Sequence, residues 1–118
     1  MKKVKLYKLK NGTYPFEKWY FTLDKSIRIN VDMRLERLAL GNYGNHKTFD
    51  NITELKLTQG AGYRIYTTEK DNTIIVLLCA GDKSTQANDI KKAKAYLEDV
   101  KNNDDYNEIE ERSHNEKQ

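Results

Sequence analysis

Three stretches decide the fold: Ile52-Thr53-Glu54-Leu55-Lys56-Leu57-Thr58, Tyr63-Arg64-Ile65-Tyr66-Thr67-Thr68 and Thr73-Ile74-Ile75-Val76-Leu77-Leu78-Cys79-Ala80. Each is rich in β-branched, aromatic or aliphatic residues. They are joined by Gln59-Gly60-Ala61-Gly62 and Glu69-Lys70-Asp71-Asn72, both of hairpin length and composition. The pattern predicts a three-stranded meander. The third stretch is apolar on both faces, so it reads as an inner strand covered on each side.

Outward from this meander the signals change period. Val4 to Leu9 alternates and reads as an edge-type strand. Asn11-Gly12 marks a turn, and Pro15 suits the first turn of a helix. Phe16, Trp19, Tyr20 and Leu23 then recur at i, i+3, i+4 and i+7, one apolar helical face. Residues 27–35 are ambiguous. Ile27, Ile29, Val31, Met33 and Leu35 alternate as in a strand, but Ile27, Val31, Leu35 and Leu38 also make a helical stripe, and Gly41 is a natural helix stop. Periodicity alone does not decide between them. Residues 41–51 are dense in turn formers and read as a loop. After Gly81, Ser84 or Thr85 can cap a last helix with Ile90, Ala93, Leu97 and Val100 on its apolar side.

The 118 residues make one domain, expected over residues 1–101, followed by an acidic tail over 102–118. From 101 to 118 the net charge is −3, from three basic and six acidic residues, so residues 1–100 carry +6. A basic body of this kind suits a polyanion or an acidic protein partner, although a solvated surface of mixed charge has the same composition. The single cysteine, Cys79, lies in the most apolar stretch, as an inert buried thiol in a reducing compartment does. The start is charged without the apolar core of a signal peptide, and no stretch has the length of a membrane span. A cytoplasmic protein with no membrane partner is expected. No glycine-rich phosphate loop, Cys/His metal cluster or nucleophile elbow is present, so neither a metal nor a small-molecule cofactor is expected.

The chemistry-bearing residues sit on the meander. Residues two apart on a strand share a face, so Glu54 and Lys56 point together. Pairing across the 59–62 turn brings Lys56 towards Arg64, and Lys83 leaves the end of the third strand. Fixed cations on one face suit a phosphodiester and the charge that develops on it. Cations on the solvent face of a sheet are also ordinary, and Glu54 could simply pair with one of them.

These pieces, in this order, resemble the RelE/ParE superfamily of bacterial toxins, in particular its HigB-like branch. The resemblance rests on Arg37-Leu38-Ala39-Leu40-Gly41-Asn42 with Gly44 and Lys47, then Ile52 with Glu54-Leu55-Lys56. Gly62-Tyr63-Arg64-Ile65-Tyr66, Gly81-Asp82-Lys83-Ser84-Thr85-Gln86 and Asp89-Ile90 with Ala93 complete it. It spans nearly all of residues 4–100. It implies helix for the ambiguous segment, making residues 14–40 a helical hairpin, and an α+β domain in the order β-α-α-β-β-β-α. In that fold the hairpin packs on one face of a mostly antiparallel sheet, and we expect the helices on that face.

By function the resemblance implies the toxin of a type II toxin–antitoxin pair. Its partners are a cognate antitoxin, the ribosome and mRNA, and it cuts mRNA without a metal through attack by the 2′-hydroxyl. Arg64 matches the strand arginine that binds the scissile phosphate, Lys56 a strand cation that stabilises the transition state, and Lys83 a basic residue after the last strand. Lys47, Tyr63, Tyr66 and Gln86 are the expected RNA contacts, and Glu54, Asp89 and His46 the candidate bases. The chain departs from the pattern where related nucleases carry a tyrosine early in the last helix. Here the sequence is Asn88-Asp89-Ile90, and the nearest tyrosine is Tyr96. Two other readings stay open: a ParE-like inhibitor of DNA gyrase without nuclease activity, and a degenerate, non-toxic binding module.

Overall fold

The computed structural model describes residues 1–102. The expected acidic tail, apart from Asn102, lies outside the described residues. The chain runs β1 (Lys3–Leu6), α1 (Pro15–Tyr20), α2 (Lys25–Ala39), β2 (His46–Phe49), β3 (Ile52–Lys56), β4 (Arg64–Lys70), β5 (Ile74–Gly81), a 3-10 turn (Lys83–Thr85) and α3 (Gln86–Asn102). It is an α+β domain on one five-stranded mixed sheet of order β1-β5-β4-β3-β2. The pairs β2–β3, β3–β4 and β4–β5 are antiparallel, and β1 lies parallel to β5.

The expected meander is β3-β4-β5. Asp50-Asn51 and Asp71-Asn72 each place two successive residues at positive φ, the geometry of tight hairpin turns whose twist matches the strands. The first of these makes a hairpin that was not expected. Residues 41–51 are not all loop, because His46–Phe49 forms β2, a short exposed edge strand with a lysine on it.

Residues 25–39 are helix, so the 3.6-residue stripe outcompetes the alternation. Val31, Leu35 and Leu38 are buried, while Ile29 and Met33, the extra members of the alternating set, stay exposed. Gly41 ends the helix at φ +92°. The amide of Gly41 donates to Leu38 O and that of Asn42 to Arg37 O, a Schellman closure.

The sheet is covered on both faces. On one, α1 and α2 bury Phe16, Tyr20, Val31 and Leu38 against Leu55, Ile65, Ile75 and Leu77. On the other, α3 buries Ala93, Leu97 and Val100 against Ile52, Tyr66, Val76 and Leu78. The hairpin takes one face as expected. The expectation of all helices on that face is corrected by α3, because β3 and β5 carry apolar residues on both sides and need two covers.

A β-bulge shapes the end of the sheet that matters below. Tyr66 pairs with Cys79 and Thr67 with Leu77, leaving Leu78 as an extra residue in β5. Beyond the bulge the phase of β5 shifts, and Gly81 comes opposite Arg64.

Candidate functional site

Strand register assembles the cations. Lys56 of β3 is directly opposite Arg64 of β4, and Arg64 is opposite Gly81 of β5. One row further in stand Lys47, Glu54, Tyr66 and Cys79 across four strands. Cross-strand partners share a face, and Tyr66 and Cys79 pack under α3, so Lys47, Glu54, Lys56 and Arg64 all belong to the α3 side. Lys83 joins them through the 59–62 turn. Its amide donates to Ala61 O, and a Cβ placed on Gly62 would lie 3.4 Å from both Lys83 Cβ and Arg64 Nη1. Lys56, Arg64 and Lys83 thus meet at the sheet margin beside the start of α3.

Arg64 is held rather than free. Its Nη1 donates to Gly62 O at 2.7 Å, and its Nε lies 3.7 Å from Glu54 Oε2. Its side chain keeps 15% of its surface exposed. Glu54 is only 1% exposed and accepts from Gln86 Nε2 at 3.0 Å. The expected base Glu54 and the expected RNA contact Gln86 are therefore engaged with each other under α3. At 3.7 Å the Glu54 carboxylate is an ion-pair neighbour of Arg64 Nε and not its hydrogen-bond acceptor, so the attraction holds the guanidinium beside Glu54 without satisfying that N–H.

Tyr66 is fully buried, so its ring belongs to the core and offers no stacking platform. Burial, and then the neighbouring Glu54 carboxylate, push its phenol well above the usual range. Its hydroxyl makes no hydrogen bond of standard geometry, although it lies in the field of Glu54, Asp89 and Arg64. Asp89 is 7% exposed and accepts from Thr85 Oγ1 at 2.5 Å. It sits on Gly81, where any Cβ would come within 1.8 Å of Asp89 Oδ2. This close approach explains the glycine at the end of β5.

Of the remaining expected residues, His46 and Tyr63 fall on the opposite face, while Lys47 shares the face of Lys56 and Arg64 but stands out on the edge strand. His46 pairs with Leu55, a residue of the α1/α2 face, and is exposed beside Tyr43 with its Nδ1 2.8 Å from Gly44 O. Tyr63 alternates with Arg64 and packs towards α1, its ring edge-on to Trp19 at 6.0 Å between centroids. Lys47 is exposed on the edge strand over the Phe49 ring.

Arg34 is the residue that sequence reasoning missed. It is buried in α2, and its guanidinium donates to Tyr43 O, Asn45 O and Lys56 O. It ties the α2–β2 connection to the end of β3, where Lys56 stands. Burial lowers its affinity for a proton, and Arg37 adds to the effect. The only sequence signal was a lone arginine in the apolar phase of the helix, between Val31 and Leu38.

An uncharacterized protein of Haemophilus influenzae is 40% identical over 91 residues, covering 75% of this chain and 91% of its own length. No protein-family model matches. At that identity and coverage the chain belongs to one family with the Haemophilus protein.

Proposed function

We propose that this member of the family is the toxin of a type II toxin–antitoxin pair with the RelE-like fold, HigB-like branch, and that it cuts mRNA on the ribosome in the cytoplasm. The observation that carries the reading is the register that sets Lys56 beside Arg64 with Lys83 at the same margin. The order of helices, meander and last helix supports it, with β2 as an addition to the expected set.

In this reading Arg64 grips the scissile phosphate as an oriented fork. The 2′-oxygen attacks phosphorus and passes its proton to solvent water, the bond to the 5′-oxygen breaks, and the leaving oxygen takes a proton from the Lys83 ammonium. Lys56 stabilises the charge that develops on the phosphate. Glu54 and Asp89 are buried and engaged, so they hold the cations and the helix in place. Positioning by ribosomal RNA then supplies much of the rate. The exposed Ile29, Met33 and Leu40, which follow one side of α2, support the hairpin as the antitoxin's contact.

One observation favours a second reading, a ParE-like inhibitor of DNA gyrase. Both expected carboxylate bases, Glu54 and Asp89, are buried. Mapping of 5′ ends in cellular mRNA after induction of the chain alone, with Arg64→Ala as control, decides between them. Codon-phased new ends that vanish in Arg64→Ala are the expected result. Growth arrest with unchanged mRNA ends overturns the nuclease and leaves the gyrase reading, and absence of arrest leaves a non-toxic binding module.

A further inference from the structure

A second concavity adjoins the cation strip at Gly81 and Asp82 and lies between α1 and the end of β5. It has a volume of about 400 Å³ and is lined by Trp19, Asp24, Tyr63, Asp82 and Asp89, among others. Two aromatic rings meet there edge to face, Trp19 and Tyr63. Three carboxylates share the space, in a chain whose net charge is +3.

The state of those carboxylates sets the ligand. No lysine or arginine pairs with Asp24, Asp82 or Asp89 among the described residues. Asp24 occupies the N-cap of α2, where an aspartate ordinarily accepts from the first turn, yet its side chain makes no capping bond. Asp89 is 93% buried, and only Oδ2 has a hydrogen-bond partner, Thr85. Its other oxygen has no hydrogen-bond partner among the described residues, and Asp89 is one of the residues that line the cleft. Asp82 is held below the usual carboxylate range by hydrogen bonds from Ser84 and Thr85 and is therefore ionised.

We infer that this cleft takes a cationic side chain from a basic segment of a protein partner. Guanidinium or ammonium groups are attracted by the faces of Trp and Tyr and by unpaired carboxylates together. A nucleotide fits poorly, because its phosphate meets like charge at this rim. None of Lys56, Arg64 and Lys83 lines this cleft, and the inference stands whether or not the chain cuts RNA.

Trp19 is the only tryptophan, so its fluorescence reports on this cleft alone. The full chain is titrated with an acetylated, amidated tri-arginine peptide, with its tri-citrulline counterpart and with guanosine monophosphate. The expected result is a saturable change with tri-arginine and none with tri-citrulline. Affinity should fall by roughly fivefold or more in Asp24→Asn and further in Asp24→Lys. Asp24 has no hydrogen-bond partner to lose, so Asp24→Asn should keep the wild-type melting temperature, Asp24→Lys should lower it by only a few degrees through the cation it puts at the start of α2, and Asp50→Asn on the far β2–β3 turn should bind as wild type. No saturable change, an equal response to tri-citrulline, or unchanged affinity in both Asp24 variants overturns the inference. Saturation by guanosine monophosphate in place of tri-arginine assigns the cleft to a nucleobase and overturns it as well.

Discussion

Adding one methyl group at Gly81 tests how α3 is seated. Its φ lies outside the left-handed region, so alanine is compatible with the backbone and any cost is steric. The new Cβ would stand 1.8 Å from Asp89 Oδ2 and 2.6 Å from Thr85 Oγ1. Neither atom is the tip of a long flexible chain, so the first turn of α3 must lift. Overpacking costs about 1–3 kcal/mol, and loss of the Thr85–Asp89 hydrogen bond adds about 1.5–3 kcal/mol, because its acceptor is charged. For a domain of this size the melting temperature should fall by upwards of about 10 °C. Asp89→Ala alone loses only the hydrogen bond. In the double variant the alanine at 81 meets no carboxylate, so its cost over Asp89→Ala should shrink by at least about 1 kcal/mol. Urea unfolding of the four proteins measures this coupling. Additive costs, or a Gly81→Ala variant within about 0.5 kcal/mol of wild type, would refute the seating argument.

Three further outcomes follow from the same geometry. Arg34→Ala should destabilise by about 3 kcal/mol, since it removes the hydrogen bonds that a buried guanidinium gives to the carbonyls of Tyr43, Asn45 and Lys56. Arg34→Lys should rescue little, because an ammonium lacks the fork, and hydrogen exchange at Lys56 should rise in both. Cys79, whose thiol burial pushes up to about 12, should resist thiol reagents at pH 8 until the chain is unfolded, and rapid labelling of the native protein would contradict its burial. Tyr20 is raised from 10.0 to about 12, chiefly by burial and then by its bond to Asp32. The folded state therefore holds that proton more tightly. Stability is complete below pH 10 and is lost as pH climbs through 12. Tyr20→Phe should flatten the fall between pH 10 and 12 in an alkaline titration followed by circular dichroism, and an unchanged slope would count against it.

Much of the fold was legible because its apolar pattern is local. The meander, Pro15, the Gly41 stop and the stripe of α3 each announce themselves within a few residues. β2 did not, since His46, Lys47 and Thr48 are all exposed and bury no face that periodicity can detect. The site was legible to the extent that alternation places side chains. It brought Lys56 and Arg64 together and separated Tyr63 from them. Alternation does not say what covers a face, and so Glu54, Tyr66 and Asp89 were read as accessible when α3 lies over them. Arg34 was illegible for a related reason, because its partners are backbone carbonyls, which carry no side-chain signature.

The parallel pairing of β1 with β5 bears on how the protein is made. Lys3 finds its neighbour in Ile74, some seventy residues later. β1 thus waits unpaired until β5 has been synthesised, while β3, β4 and β5 zip up through short-range contacts. Closure of the sheet is then a late event of translation. A prematurely terminated chain that lacks β5 also lacks Gly81, the turn that carries Lys83, and α3. A chain stopped before β5 therefore cannot assemble the margin at which Lys56, Arg64 and Lys83 lie.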